Sequence, residues 1–342
     1  NKFYKNYFLI VPGDLYLKFD FTKIIKFHIK KKSLLTLCVH PSDHVHDSDT
    51  VKYDTNEKLI KFFKKPHKDL HKVGHMSLSG IYLIHGSLLR QISSKELKSN
   101  QLIQNISKNT DRVFCYNTEN FIKDAGTKDR LTFLRKSFKK KRIHNFECNK
   151  PKIAIFLDRD GVINKEFKGE KFGNPINLFK TTINAISIFN KLNLITVVIT
   201  NQPAIAKGFI TEKYLKTKHE KLLNFLSSSG CYLNKIYFCP HHPEKGFVGE
   251  NKLLKIRCGC RKPKIGLILK AKKEFNINLT KSFFVGNSIS DYRAAKKAGV
   301  RYFNIQPFGK KKEFLNYNIK NYKNLLVVAN IIKNKLIKNG QK

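Results

Sequence analysis

Along the chain, short apolar runs bounded by turn residues alternate with stretches whose apolar positions recur every three or four residues. Residues 7–11 (YFLIV) run into Pro12-Gly13-Asp14, which reads as a buried strand ending in a turn. Asp20-Phe21 opens an amphipathic helix carrying Ile24, Ile25 and Phe27, and residues 34–39 (LLTLCV) form the next strand. This βαβ rhythm gives way to shorter, partly antiparallel strands at 51–54, 59–63 and 80–84. A Lys-rich stretch, 135–152, ends at Pro151 and reads as a linker. Behind it the rhythm restarts with strands at 153–157, 194–200, 236–238, 283–285 and 301–305. Helices at 181–192, 212–226, 265–275 and 290–298 separate them, and one or two basic helices are expected over 316–342. Strands alternating with helices of about 10–15 residues predict a parallel sheet covered on both faces. The expected division is a domain over 1–140, a linker over 141–151 and a second domain over 152–342.

A length of 342 residues suits two domains, and 41% hydrophobic residues exclude a disordered polycation. The formal net charge of +42 invites a nucleic-acid or anionic-surface reading. Such a reading requires the Lys residues to gather on one face with aromatic platforms. Abundant Lys, Asn, Ile and Phe with no Trp and one Met suggest a composition bias and a solvated Lys-rich surface instead. Seven cysteines, scattered except for Cys239, Cys258 and Cys260, do not form a disulfide framework. With no apolar run near the roughly 20 residues of a membrane span, and no signal-peptide succession at the start, the expectation is a cytoplasmic protein with no membrane partner.

Open α/β sheets place their chemistry at the carboxyl ends of the strands. The strand at 153–157 stops at Asp158-Arg159-Asp160-Gly161. Two carboxylates two residues apart can divide labour, one as nucleophile and the other as proton donor and then base; an ordinary Asp-Gly turn would look the same. The strand at 194–200 ends in Thr200-Asn201-Gln202, whose hydroxyl and N–H groups suit a phosphoryl oxygen, although Thr-Asn is also a common helix cap. Arg261-Lys262-Pro263 supplies two cations for a transferring phosphoryl group. Gly286-Asn287-Ser288-Ile289-Ser290-Asp291 offers an amide or acidic corner that, with Asp158, could complete a Mg²⁺ site.

Cys239-Pro240-His241 and Cys258-Gly259-Cys260 bracket one loop. Three thiolates and an imidazole make a closed tetrahedral Zn²⁺ set, structural in kind, that would staple the loop leading to Arg261 and Lys262. His242 is the lesser candidate ligand.

The motifs DRDGVIN, TNQPAIAKG, CPHHP and CGCRKP, in this order, resemble the haloacid dehalogenase (HAD) superfamily of aspartate-nucleophile phosphatases, and within it the heptose bisphosphate phosphatases, neighbours of the histidinol-phosphate phosphatases. The resemblance covers about residues 152–306. It implies a HAD-like Rossmannoid α/β fold with a zinc loop, a sugar phosphate as substrate and Mg²⁺ as cofactor. It also implies Asp158 as nucleophile, Asp160 as acid/base, and Thr200 and Lys262 as stabilisers of the phosphoryl group, with Asp158 and Asp160 at the Mg²⁺. Substrate contacts would come from Arg159, Glu166, Phe167, Lys168, Gly169, Asn201, Gln202, Pro203 and Arg261. Cys239, His241, Cys258 and Cys260 match the family's zinc ligands. Where the family has Gly-Asp this chain has Gly286-Asn287, which leaves the metal an uncharged amide or Asp291. A histidinol-phosphate or other phosphomonoester substrate is the enzymatic alternative.

In the first half, VPGDLYLKFDF, KKPH, SLSGIYLI and FIKDAGT resemble the sugar-1-phosphate nucleotidyltransferases, particularly the heptose 1-phosphate guanylyltransferase type. That resemblance implies Asp14 and Asp124 as ligands of a Mg²⁺ and Lys65 as a contact to the sugar phosphate. The family's glycine-rich nucleotide loop has no counterpart in this sequence. The expectation is an incomplete α/β nucleotidyltransferase domain, inactive as given, that would take GTP only if such a loop precedes Asn1 in a longer, bifunctional enzyme.

Overall fold

The computed structural model describes residues 6–70, 72–91, 99–139, 144–165, 176–305, 317 and 319–340. The chain divides into two compact units. The first holds residues 1–139, 146–149 and 227–230, and the second holds 140–145, 150–226 and 231–342.

In the first unit, β1 (Tyr7–Ile10), β2 (Leu15–Lys18), α1 (Phe21–Lys30) and β3 (Leu35–Pro41) are followed by β4 (Thr50–Tyr53), β5 (Leu59–Phe63) and β6 (Met76–His85). The unit continues with α2 (Ser99–Asn109), β7 (Val113–Asn117), β8 (Phe121–Asp124) and α3 (Lys128–Lys139). Its mixed sheet runs β5-β4-β6-β3-β7, with β1 also on β6, and β2 pairs with β8 in a separate two-stranded ladder. Asp20 starts α1 by accepting from the Thr22 N–H at 3.0 Å, so the expected helix start has a cap. β3 is buried along nearly its whole length and bears Leu35, Leu37 and Val39 on one face, packed with Ile84, Ile103 and Ile106.

The stretch expected as a linker is in part helical. Residues 135–139 belong to α3, because beneath the Lys count Leu134 is buried and the Phe138 ring packs 5.1 Å from that of Tyr16 and, edge to face, 6.0 Å from that of Phe121. Residues 140–143 lie outside the described part. Asn145 then fastens to Ile153, accepting from its N–H at 2.7 Å and donating to its carbonyl at 2.8 Å.

The second unit comprises β9 (Ala154–Leu157), α4 (Thr182–Lys191), β10 (Ile195–Asn201), α5 (Glu212–Ser228, as far as Leu226), β11 (Lys235–Cys239), α6 (Gly266–Phe275) and β12 (Phe283–Gly286). It ends with α7 (Ile289–Ala298), β13 (Arg301–Ile305), β14 (Asn321–Tyr322) and α8 (Leu325–Gly340). The sheet order is β11-β10-β9-β12-β13-β14, every pairing parallel. Alternation along β9 serves two cores. Ile155 and Leu157 pack with Ile186, Phe189 and Leu222, whereas Ala154 and Phe156 pack with Ile268, Ala271 and Ala294. Of the one or two basic helices expected over 316–342, the described residues 319–340 hold one, α8, whose charged residues are all Lys, behind a short strand. In α8 Leu325, Val328, Ala329, Ile332 and Leu336 recur at helical spacing and enter the core. Among the described residues no helix is long and apolar enough to cross a membrane.

From β9 the chain steps outward to β10 and β11 and then returns to β12 on the other side of β9. The crevice at the carboxyl ends of β9 and β12 is therefore the topological switch point, where such sheets bind ligands.

Candidate active site and metal centre

β9 delivers Asp158 to that crevice, and the Asp158 N–H donates to Val285 on β12 at 2.9 Å. The chain then turns back at once. Gly161 adopts φ of 80°, a left-handed conformation that a side chain disfavours, and the Arg159 carbonyl accepts from Ile163 and Asn164 at 2.9 and 3.1 Å. This turn keeps Asp158, Arg159 and Asp160 in one cleft of about 440 Å³, together with Thr200, Asn201, Gln202, Pro203, Lys262, Asn287 and Ser288.

Lys262 is buried, and its Nζ lies 2.8 Å from Asp158 Oδ1 and 2.6 Å from Asp291 Oδ1 while donating to the Ile199 carbonyl at 2.8 Å. Two carboxylates thus share one ammonium. Burial, and then the Asp291 charge, push Asp158 up to about 7 against the pull of Lys262. Against the effect of burial, the Asp158 and Asp291 charges raise Lys262 and keep it an ammonium.

Asp291, expected as a substitute metal ligand, has both oxygens engaged within the protein. Its Oδ1 faces Lys262, and its Oδ2 accepts from the Asn287 and Ser288 N–H groups, each at 3.1 Å, and from the Ser288 hydroxyl at 2.7 Å. The Ser288 side chain caps α7 in return, closing a capping box. Asn287 lines the cleft.

Asp160 is the most heavily bonded carboxylate of the site. Arg159 binds it bidentately, with Nη2 2.9 Å from Oδ2 and Nε 3.2 Å from Oδ1. The Asn164 and Gln202 amides each donate to it at 2.9 Å. Burial pushes it up, but the Arg159 charge and these bonds outweigh that and hold Asp160 below the ordinary carboxylate range. Arg159, expected to meet substrate, is 7% exposed and spends its donors on Asp160, on Gln202 Oε1 at 3.0 Å and on His219 Nε2 at 2.9 Å. The Gln202 amide also donates to the Thr200 hydroxyl at 2.9 Å.

The Lys262 N–H donates to the Asn201 side chain at 3.0 Å, so the loop that carries Lys262 is pinned to the end of β10. Arg261 is absent from the lining of the cleft and lies beside the cysteine cluster, with Nη1 3.4 Å from the His241 carbonyl. Glu166, Phe167, Lys168 and Gly169 lie outside the described residues.

Cys239, His241, Cys258 and Cys260 converge, their ligand atoms all within 4.8 Å of one another. Five of the six edges run from 3.1 Å (Cys260 to Cys239) to 3.6 Å (Cys239 to His241 Nδ1). A tetrahedron with metal–sulfur bonds of about 2.3 Å has edges of roughly 3.7 Å, so the donor set suits Zn²⁺ in size and in ligand type. None of the chain's seven cysteines is in a disulfide. His242 stands outside the set, its Nε2 3.7 Å from Glu244.

In the first unit, Asp14 and Asp124 come together where β2 meets β8. A Cβ built on Gly126 would lie 2.6 Å from Asp14 Oδ2 and 3.2 Å from Asp124 Oδ1. Arg130 pairs with Asp124 and also reaches Asp47 at 3.3 Å, and Lys65 pairs with Asp47 at 3.2 Å. Lys65 therefore meets an acidic partner, joined to the Asp pair through Arg130.

His219 escaped the sequence reading, although Leu215, His219 and Leu222 recur at helical spacing and all three are buried. Lys207, Tyr214 and Lys218 line the cleft as well and had no distinguishing signal among so many lysines.

A family model described as nucleotidyl transferase matches residues 1–139. The second half is similar to D-glycero-beta-D-manno-heptose-1,7-bisphosphate 7-phosphatase of Yersinia pestis, 37% identical over 147 residues, 43% of this chain and 76% of that protein. It is likewise similar to D-glycero-alpha-D-manno-heptose-1,7-bisphosphate 7-phosphatase of Photorhabdus laumondii, 38% identical over 155 residues, 44% of this chain and 80% of the other. A crystal structure of D,D-heptose 1.7-bisphosphate phosphatase from B. bronchiseptica, complexed with magnesium and phosphate, is 25% identical and spans 54% of this chain and 99% of that one, with a TM-score of 0.45.

Proposed function

The chain belongs to the D-glycero-D-manno-heptose-1,7-bisphosphate 7-phosphatase family, and from that premise we infer that its second half hydrolyses the 7-phosphate of a heptose 1,7-bisphosphate. The observation that carries the mechanism is the placement of Asp158 at the end of β9, inside the cleft, with Lys262 at 2.8 Å and Asp160 two residues on.

Asp158 attacks phosphorus and becomes the aspartyl phosphate, while the C7 oxygen leaves with a proton from Asp160. Asp160 then takes a proton from the attacking water, and phosphate departs. Lys262 and the Thr200 hydroxyl face the charge that builds on the phosphoryl oxygens. Asp160 rests as a carboxylate under Arg159, so it must take up a proton before the leaving oxygen departs.

Asp158 and Asn287 line the same cleft, and a carboxylate and an amide oxygen with the substrate phosphate would suit a Mg²⁺, which keeps several waters. Asp291, fully engaged with Lys262 and the start of α7, is assigned the positioning of Lys262 instead. A bound Mg²⁺ would offset the repulsion between nucleophile and phosphate. Zn²⁺ at Cys239, His241, Cys258 and Cys260 has a structural role, since all four positions of the tetrahedron are protein ligands. Lys262 follows Cys260 by two residues, so this staple sets where the ammonium stands.

The nucleotidyl transferase match over residues 1–139 supports a second domain of the same pathway, whose activity would depend on the glycine-rich nucleotide loop that the resemblance calls for. Removal of the 7-phosphate leaves heptose 1-phosphate, the form that a nucleotidyltransferase activates. In the first unit Asp14 and Asp124 are the paired carboxylates for a divalent cation, with Lys65 nearby for a sugar phosphate.

Purified protein with Mg²⁺ is expected to release phosphate from D-glycero-D-manno-heptose 1,7-bisphosphate, and Asp158→Asn to abolish release. Turnover retained in that variant would remove Asp158 as nucleophile.

A further inference from the structure

The guanidinium that holds Asp160 is itself held from behind. α5 turns Leu215, His219 and Leu222 inward, and His219 is 6% exposed, its ring 5.7 Å from that of Phe238. Its Nε2 is 2.9 Å from Arg159 Nη1. A guanidinium carries only donors, so Nε2 accepts and the ring proton sits on Nδ1. Burial, and then the Arg159 charge, push the imidazole down to about 3, which keeps it neutral at working pH. The other Arg159 bonds go to Asp160 and to Gln202 Oε1. Among the described residues Arg159 is the one charged group that holds Asp160, beside the Asn164 and Gln202 amides, so its placement bears directly on that carboxylate. Of the Arg159 partners, Gln202 stands just past the end of β10 and His219 on α5, the helix that follows it.

We propose that His219 is a positioning residue of the phosphatase site. By accepting from Nη1 it fixes the plane in which Arg159 presents Asp160 to the leaving oxygen. The inference rests on Asp160 as the acid/base of the reaction.

The test compares two leaving groups. kcat/KM covers the steps through departure of the leaving group. The C7 alkoxide needs the Asp160 proton, whereas p-nitrophenolate leaves without one. Well-placed general acids contribute about 10²–10⁴ in rate, and small misplacements erode much of that. His219→Leu, which removes the acceptor and keeps the bulk, is expected to lower kcat/KM for heptose 1,7-bisphosphate about tenfold or more. For p-nitrophenyl phosphate the loss should stay within about threefold, because no proton is required. His219→Gln sets an amide oxygen near the Nε2 position and should bring both substrates back to within about threefold of wild type. Equal losses on the two substrates, no loss in His219→Leu, or no recovery in His219→Gln would each overturn the proposal.

A readout independent of turnover is the long-range ¹H–¹⁵N spectrum of wild-type His219. It should show a neutral ring at pH 7 with an unprotonated, accepting Nε2. An Nε2–H tautomer or a charged ring overturns the geometry even where His219→Leu does not fold. A wild-type protein inactive on both phosphates would instead sink the phosphatase reading, and the tautomer would then decide the positioning claim alone.

Discussion

Replacing Lys262 by Met removes an ammonium from between two buried carboxylates while leaving most of the side-chain volume. At an effective dielectric constant near 20, a unit charge pair 2.8 Å apart attracts by about 6 kcal/mol, and the ammonium's desolvation returns several of those. Removing one partner of a buried pair costs about 3–5 kcal/mol, because the survivor stays buried and unpaired. Here two survivors remain, Asp158 and Asp291, the latter fully buried. The expected loss in the second unit is therefore at the upper end of that range at pH 8. The sign with pH follows from the same geometry. Asp158 already sits high from burial, and without Lys262 it loses the charge that pulls it down, so the native state binds the extra proton and the penalty shrinks as pH falls toward 5. Amide exchange of the β9 and β12 peptides across a urea series reads the second unit directly, without relying on Trp, which the chain lacks. A loss below about 1 kcal/mol at pH 8, or a penalty that grows on acidification, would refute a shared buried ammonium.

Gly286→Ala should strike the same assembly from the other side. A Cβ there would lie 2.5 Å from Asp291 Cβ, so about 1–3 kcal/mol of stability and much of kcat should go together in chemical denaturation and phosphate-release assays. Metal analysis should find about one Zn²⁺ per chain, and chelation or Cys258→Ser should lower the melting temperature of the second unit along with its kcat. In the first unit, burial, and then the His85 and Arg112 charges, push His28 down to about 4 from an unfolded value near 6.5. The unfolded chain takes a proton that the native state refuses, so stability is held above pH 6.5 and lost as pH falls toward 4. The difference in urea midpoint between wild type and His28→Gln should trace that window, and a difference that stays constant with pH would exclude the assignment.

Much of this architecture is legible in one dimension. The apolar runs at 153–157, 194–200 and 283–285 are strands because each is short, continuous and bounded by helix-period segments, which is what a sheet buried on both faces requires. The clustering of Cys239, His241, Cys258 and Cys260 follows from two tight pairs on one loop. Local spacing also brings Asp158 and Asp160 to one strand end. Charge count misled where it masked periodicity. Lys-rich 135–139 is helix because Leu134 and Phe138 have apolar partners, and α8 is a core helix whose Lys333 and Lys338 are exposed while Lys335 lies over the Phe283 ring.

What the chain could not declare by itself is which distant groups share a charge. Asp158 and Lys262 are both readable as catalytic, but that Asp291 belongs to Lys262, and Arg159 to Asp160 and His219, depends on strand order and on the inward face of α5. Sequence periodicity sets which side of an element is buried. Only the packed sheet decides what that side meets, because partners far apart in the chain are chosen by the crossover from β11 back to β12 and by the low-dielectric interior, where no buried charge can be left alone.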